Sequence, residues 1–124
     1  MLNASFITNE DDGTDLIVSF AIPVDEFGDV KSLTLLRTPK YEFILYESER
    51  GVNVSFEDFP DDRNELLKKL VIEGNLVTIA TEYGKYMVNI EDVDQKEIQG
   101  SMRILKKMNF DERFELKLSV SHRQ

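Results

Sequence analysis

Short runs rich in Val, Ile, Leu and Phe, cut every few residues by Gly, Pro, Asn or Asp, constrain this chain more than any other feature. Runs of that length and composition suit strands closed by tight turns. Residues 15–22 (DLIVSFAI) lie between an acidic turn over 9–14 and Pro23, and with 4–8 they read as a hairpin. Residues 24–31 form a polar loop, and 33–37 a short strand ended by Thr38-Pro39. In 41–47 (YEFILYE), Tyr41, Phe43 and Leu45 alternate with Glu42, Ile44 and Tyr46. Val52, Val54 and Phe56 alternate with Asn53, Ser55 and Glu57, and the link 48–51 ends in Gly51. Residues 41–57 therefore read as a strand pair with Tyr41, Phe43 and Phe56 in the core. Residues 57–65 (EDFPDDRNE) are an acidic loop, after which two readings stay open. One is a short helix capped by Asp61 or Asp62 and running to Lys69, with Leu66, Leu67 and Leu70 inward; the other is a strand over 67–73. Gly74-Asn75 turns into a strand over 76–81, and a Gly84 turn leads to its partner over 86–90.

One stretch has helical spacing instead. Asp94 stands where an N-cap is needed and Glu97 follows three residues on, as in a capping box with Asp replacing Ser or Thr. Ile98, Met102, Leu105 and Met108 repeat at helical intervals, with Lys96, Arg103, Lys106 and Lys107 on the other face. Asn109 suits a left-handed C′ position. Gly100 falls inside the helix, where it costs about 1 kcal/mol against Ala; close packing on the sheet and simple tolerance both account for it. Phe114, Leu116, Leu118 and Val120 alternate with polar residues as a last strand. Hairpins dominate and no βαβ crossover is expected. The predicted fold is α+β: a mostly antiparallel sheet with one main helix, in the C-terminal half, packed on one face.

At 124 residues the chain predicts a single domain over 1–124, with 119–124 a frayed tail. Hydrophobic residues at 41% and aromatics at 10% exclude a disordered composition. The absence of Cys removes disulfides, thiolate nucleophiles and Cys-ligated metals, and suits a reducing cytoplasm. The opening MLNASFITNEDDGTD has neither the basic nor the apolar region of a signal peptide, and no apolar run reaches membrane-spanning length. The expected location is cytoplasmic.

The search for chemistry returns little. The one histidine, His122, stands near the C-terminus, where nothing fixes a neighbour within hydrogen-bond reach. Asp11-Asp12-Gly13 lacks the alternating ligands and the final glutamate of a calcium loop, and Asp92, Asp94 and Glu97 lack its central glycine. The glycines at 13, 28, 51, 74, 84 and 100 are too dispersed for a phosphate-binding loop. The chain is expected to have no catalytic residue, no metal and no cofactor.

Charge is the informative property. The net charge is -9, and residues 1–65 hold 15 acidic against 5 basic residues. Such a balance disfavours nucleic acid and anionic membranes and favours a basic protein partner. The expected contact residues are Tyr46, Glu47, Glu49, Glu57, Asp58, Phe59, Asp61 and Asp62, acids interleaved with two apolar anchors. The same acids equally serve plain solubility.

The segment order YEFILYESERGVNVSFED, then GNLVTIAT, then YMVNIEDV running into QKEIQGSMRILKKMNF, resembles the small bacterial toxin-immunity proteins of the family known as immunity protein ten. The resemblance lies in an aromatic-rich segment with an acidic exit, a second hairpin, and an Ile-acid strand before the last helix. It implies a toxin-neutralising binding protein without catalytic residues. The expected function is thus a non-enzymatic protein-binding module, of immunity type, for a basic partner such as a toxin. The alternative is a small-ligand-binding or regulatory domain with an aromatic pocket on the sheet. A carboxylate enzyme using a divalent metal comes third.

Overall fold

The computed structural model describes residues 1–25, 27–57 and 65–119. Its strands are β1 (Leu2–Asn3), β2 (Phe6–Asp11), β3 (Leu16–Pro23), β4 (Val30–Arg37), β5 (Asn53–Phe56), β6 (Glu65–Glu73), β7 (Leu76–Thr81), β8 (Lys85–Asn89) and β9 (Glu115–Ser119), and its helix is α1 (Gln95–Met108). The strands run side by side as β1-β8-β7-β6-β5-β4-β3-β2, with β9 against β6. Neighbours are antiparallel except β1 with β8 and β9 with β6. The α+β class and the mostly antiparallel sheet are as the sequence predicts. Among the described residues, no helix is long and apolar enough to cross a membrane.

The first two strands close the sheet on itself. β1 and β2 lie at opposite ends of the strand path, yet only Ala4 and Ser5 separate them. Three Cα steps span at most about 11 Å, so the two edges must curl together. Each linking residue is stitched to one edge: Ala4 N–H donates to Asn89 O at 2.9 Å, and Ser5 N–H to Ala21 O at 2.9 Å. The inward side chains of both halves then form one core, including Val18, Phe20, Leu33, Leu35, Val54, Leu70, Ile79 and Val88.

β6 settles the open reading of 62–72 from Glu65 onward as strand; residues 61–64 lie outside the described residues. A bulge between Leu67 and Lys69 inserts Lys68 against β7. It shifts the alternation so that Leu67 and Leu70 both point inward while Lys68 and Lys69 stay in water. That three-residue spacing is what imitates a helix in the sequence. The edge of β6 away from β7 is shared, β5 pairing with Glu65 and Leu66 and β9 with Lys69 to Glu73.

The helix forms where expected, but its ends differ in detail. Asp94 caps it by accepting from Lys96 N–H at 2.8 Å. Glu97 does not complete a capping box; its carboxylate accepts from Ile7 N–H at 2.9 Å. Asn9 Nδ2 in turn donates to Glu97 O at 2.9 Å, so α1 covers the free edge of β2 with hydrogen bonds. Asn109 keeps a right-handed φ of -98°, and Glu112 (φ 54°) takes the left-handed conformation instead. The Asn109 side chain accepts from Phe114 N–H at 3.2 Å, which turns the chain into β9. The expectation of no crossover is corrected: α1 carries the chain from β8 to β9, which runs parallel to β6. Ser119 belongs to β9, its carbonyl accepting from Gly74 N–H at 3.1 Å, and 120–124 lie outside the described residues.

The largest correction concerns 41–57. Only Asn53–Phe56 is strand; before it the chain makes two 3₁₀ turns, Pro39–Ile44 and Glu47–Glu49. Tyr41 and Phe43 are not core but are 52% and 75% exposed, while Glu42 is buried and Phe56 is core as expected. Pro39, with its fixed φ, opens the first turn. The burial of Glu42 beside Arg37 overrides the apolar alternation.

Gly100 is explained by the approach of α1 to β2. A Cβ at this position would stand 2.9 Å from Asn9 Nδ2. Gly100→Ala is therefore expected to lower the thermal midpoint by a few degrees, although Ala is worth about 1 kcal/mol more in a helix interior. In an Asn9→Ala background the same substitution should raise the midpoint. A rise in the wild-type background would overturn the close-contact account.

Candidate partner-binding surface

β4 buries Leu33, Leu35 and Arg37 on one face, so its last inward residue is a guanidinium with no exposure at all. A buried cation is tolerated only when fully paired. Arg37 Nε and Nη2 donate to the two Glu42 carboxylate oxygens, each at 2.8 Å. Nη1 and Nη2 donate to the Asp111 oxygens at 2.8 and 2.9 Å, and Nη1 also to Met108 O at 2.6 Å. All five N–H donors of the fork are thereby used. The Phe110 ring covers the guanidinium, its centroid 4.2 Å from Cζ. Burial alone would lower the Arg37 pKa, but the hydrogen bonds and charges of Asp111 and Glu42 raise it above its usual value.

Asp111 joins this cluster to a second arginine. Arg113 Nε donates to Asp111 Oδ2 at 2.6 Å and Nη1 to Glu47 O at 2.9 Å. Bonding to Arg37 first, and then to Arg113, holds the Asp111 carboxyl down to about 2. Arg50 reaches Leu45 O with Nε at 3.3 Å and Nη2 at 3.1 Å. Three arginines thus brace residues 39–49 at Glu42, Leu45 and Glu47.

What they brace is an apolar platform. Tyr41, Phe43, Ile44, Leu45 and Tyr46 are 52%, 75%, 71%, 38% and 81% exposed. Five large apolar side chains in six consecutive residues, left in water, are the usual mark of an interaction site. Glu47 and Glu49 stand at its C-terminal end, both exposed. Glu49 Oε1 accepts from Tyr46 N–H at 3.1 Å, and Glu47 makes a wide contact of 3.5 Å with Arg113.

The structure keeps Tyr46, Glu47 and Glu49 together and separates Glu57 from them. Glu57 follows β5 at its far end and bonds Ser32 O through its N–H at 3.2 Å, roughly 15 Å of extended chain from Val52. Asp58, Phe59, Asp61 and Asp62 lie outside the described residues. The sequence reading missed Arg37, Glu42, Phe110, Asp111 and Arg113. One signal was available, an Arg in phase with Leu33 and Leu35, which places a charge inward and demands carboxylate partners.

Among the described residues, grooves of about 190 and 270 Å³ both border the Asp11–Lys107 ion pair (2.6 Å). Neither is lined by an aromatic side chain. Among the described residues, no group of three or more His, Cys, Asp or Glu is placed to hold a metal. No protein-family model, curated protein or solved structure matches the chain.

Two outcomes test the bracing cluster. Arg37→Met should cost about 3–5 kcal/mol in denaturant unfolding, because it leaves Glu42, with a side chain 11% exposed, uncompensated. Adding Glu42→Gln should recover part of that loss; no recovery would mean the pairing does not set the cost. The second concerns acid. A carboxylate held down in the fold stabilises it above the unfolded pKa, near 4, and that contribution is lost as pH falls through 2. The advantage of wild type over Asp111→Asn should be about 1–2 kcal/mol above pH 4, after allowance for solvent around Asp111, and should shrink to about a few tenths of a kcal/mol by pH 2 and vanish near pH 1. An advantage undiminished at pH 2 would assign Asp111 a role other than charge.

Proposed function

We propose that this chain is a non-enzymatic protein-binding module that neutralises a basic partner protein, in the manner of an immunity protein. The observation that carries the reading is the exposed platform Tyr41–Tyr46 ending in Glu47 and Glu49. Aromatic anchors ringed by charge are how protein interfaces are built: the buried anchors carry most of the energy, and rim charges steer association. A net charge of -9 extends the steering to the whole molecule. The resemblance of roughly residues 35–110 to immunity protein ten supports the same reading, and a bacterial cytoplasm is its setting.

A photo-crosslinking residue at Tyr46 in the full chain, expressed in the native host, identifies the partner, and kinetics with the purified partner test the reading. Tyr46→Ala should speed dissociation by roughly 30-fold, the about 2 kcal/mol of a hot spot. Glu47→Gln with Glu49→Gln should instead slow association and flatten its salt dependence, with the thermal midpoint unchanged. Equal kinetics for all three proteins would reduce the acids to solubility. A concentration-dependent dimer abolished by Phe43→Ser would assign the platform to a second copy and overturn the reading.

A further inference from the structure

We infer that the docking surface is a composite of two segments distant in sequence, Tyr41–Glu49 and Phe110, held in one geometry by Arg37 and Arg113, and that it fits a cleft in a folded basic protein rather than an extended peptide. The inference rests on the binding reading above and specifies its partner.

Phe110 is 60% exposed and so leaves much of its ring to solvent while its face lies on Arg37. The same guanidinium grips Glu42, which sits in the middle of the platform, with two bonds of 2.8 Å. The ring therefore lies on the face, and Glu42 on the Nε–Nη2 edge, of one guanidinium. Arg113 repeats the link from the next turn, bonding Asp111 beside Phe110 and the Glu47 carbonyl at the platform's end. It is a positioning residue: its side chain is 24% exposed and its donors are directed at this chain's own atoms.

The shape of the surface selects the partner. Peptides are taken up by a groove or by a free strand edge. Residues 39–44 and 47–49 are 3₁₀ turns joined by the extended Leu45 and Tyr46, and the backbone of that link is already engaged: Leu45 N–H bonds Glu42 O, Tyr46 N–H bonds Glu49 Oε1, and the carbonyls of Leu45 and Glu47 are held by Arg50 and Arg113. Side chains 71–81% exposed at Ile44, Phe43 and Tyr46 project outward, so the matching surface is concave. Glu47 and Glu49 at the end of the platform call for Lys or Arg on the rim of that cleft. A cleft lined by apolar groups and rimmed by cations exists only in a folded protein.

The test places the photo-crosslinker at Phe110 as well as at Tyr46 and asks whether both trap the same protein. With that protein purified, Phe110→Ala and Arg113→Lys should each speed dissociation about tenfold, the thermal midpoint staying within a degree or two. Arg113→Lys keeps the charge but loses the fork, so in the free protein it should also raise amide hydrogen exchange across 44–50. Folded partner should bind and its tryptic peptides should not. If Tyr46 traps the partner but Phe110 does not, or if the two variants dissociate as wild type does, the composite surface is wrong and the binding reading stands. If peptides bind as tightly as the folded partner, the cleft is wrong. If neither position traps any protein, both readings fall together.

Discussion

The buried guanidinium of Arg37 organises the part of this protein that carries the exposed apolar platform. Taking a cation out of water is expensive, and the cost is offset only when every donor is met with good geometry. Two carboxylates and one carbonyl meet all five donors, and they come from residues 5, 71 and 74 positions along the chain. To deliver Glu42 the chain must turn directly after β4, and to deliver Asp111 and Met108 the helix must end beside it. The path of 39–49, the position of the C-terminal end of α1 and the presentation of Phe110 all meet at this one side chain. Pairing of this kind secures a particular geometry more than it adds stability, since an apolar group of similar volume would avoid the desolvation altogether.

Closure of the sheet solves a different problem. An open sheet exposes two edges whose unpaired groups invite association. Here the link through Ala4 and Ser5 brings the edges together, and Glu97 and Asn9 join α1 to the side of β2 that β3 leaves free. Gly100 is the condition for that approach, because a methyl group would meet Asn9. The glutamate that a sequence reading assigns to a helix cap instead satisfies a backbone N–H of an edge strand.

The platform differs from the other exposed apolar side chains, such as Phe27 and Tyr83, in gathering five of them within six consecutive residues. Exposed apolar side chains on a floppy loop would lose much of their binding energy to ordering on association. Three arginines remove that loss in advance by fixing the turns at Glu42, Leu45 and Glu47. In the proposed role, a braced projection with two acids at one end would meet a partner that already has a matching cavity, with charge steering the encounter and the aromatic surface holding the complex.

The sequence alone determined the elements whose signals are local: the hairpin of β2 and β3, the turn at Gly74-Asn75, the strands β7 and β8, and the helix from Asp94 to Met108. In these the residue pattern and the turn chemistry agree, and nothing distant overrules them. It also determined the acidity and marked Tyr46, Glu47 and Glu49. Tertiary structure decided the rest. Residues 41–47 alternate like a strand, but the pairing that fixes them is Arg37 with Glu42, and alternation carries no record of a buried charge. Leu67 and Leu70 look helical because a bulge, visible only against β7, restores the phase of β6. The separation of Glu57 from Glu47 and Glu49, and the placing of Phe110 on the guanidinium that also holds Glu42, depend on strand pairing and on contacts across some seventy residues. Local patterns report what a residue prefers; only the closed fold shows which buried groups had to be satisfied first.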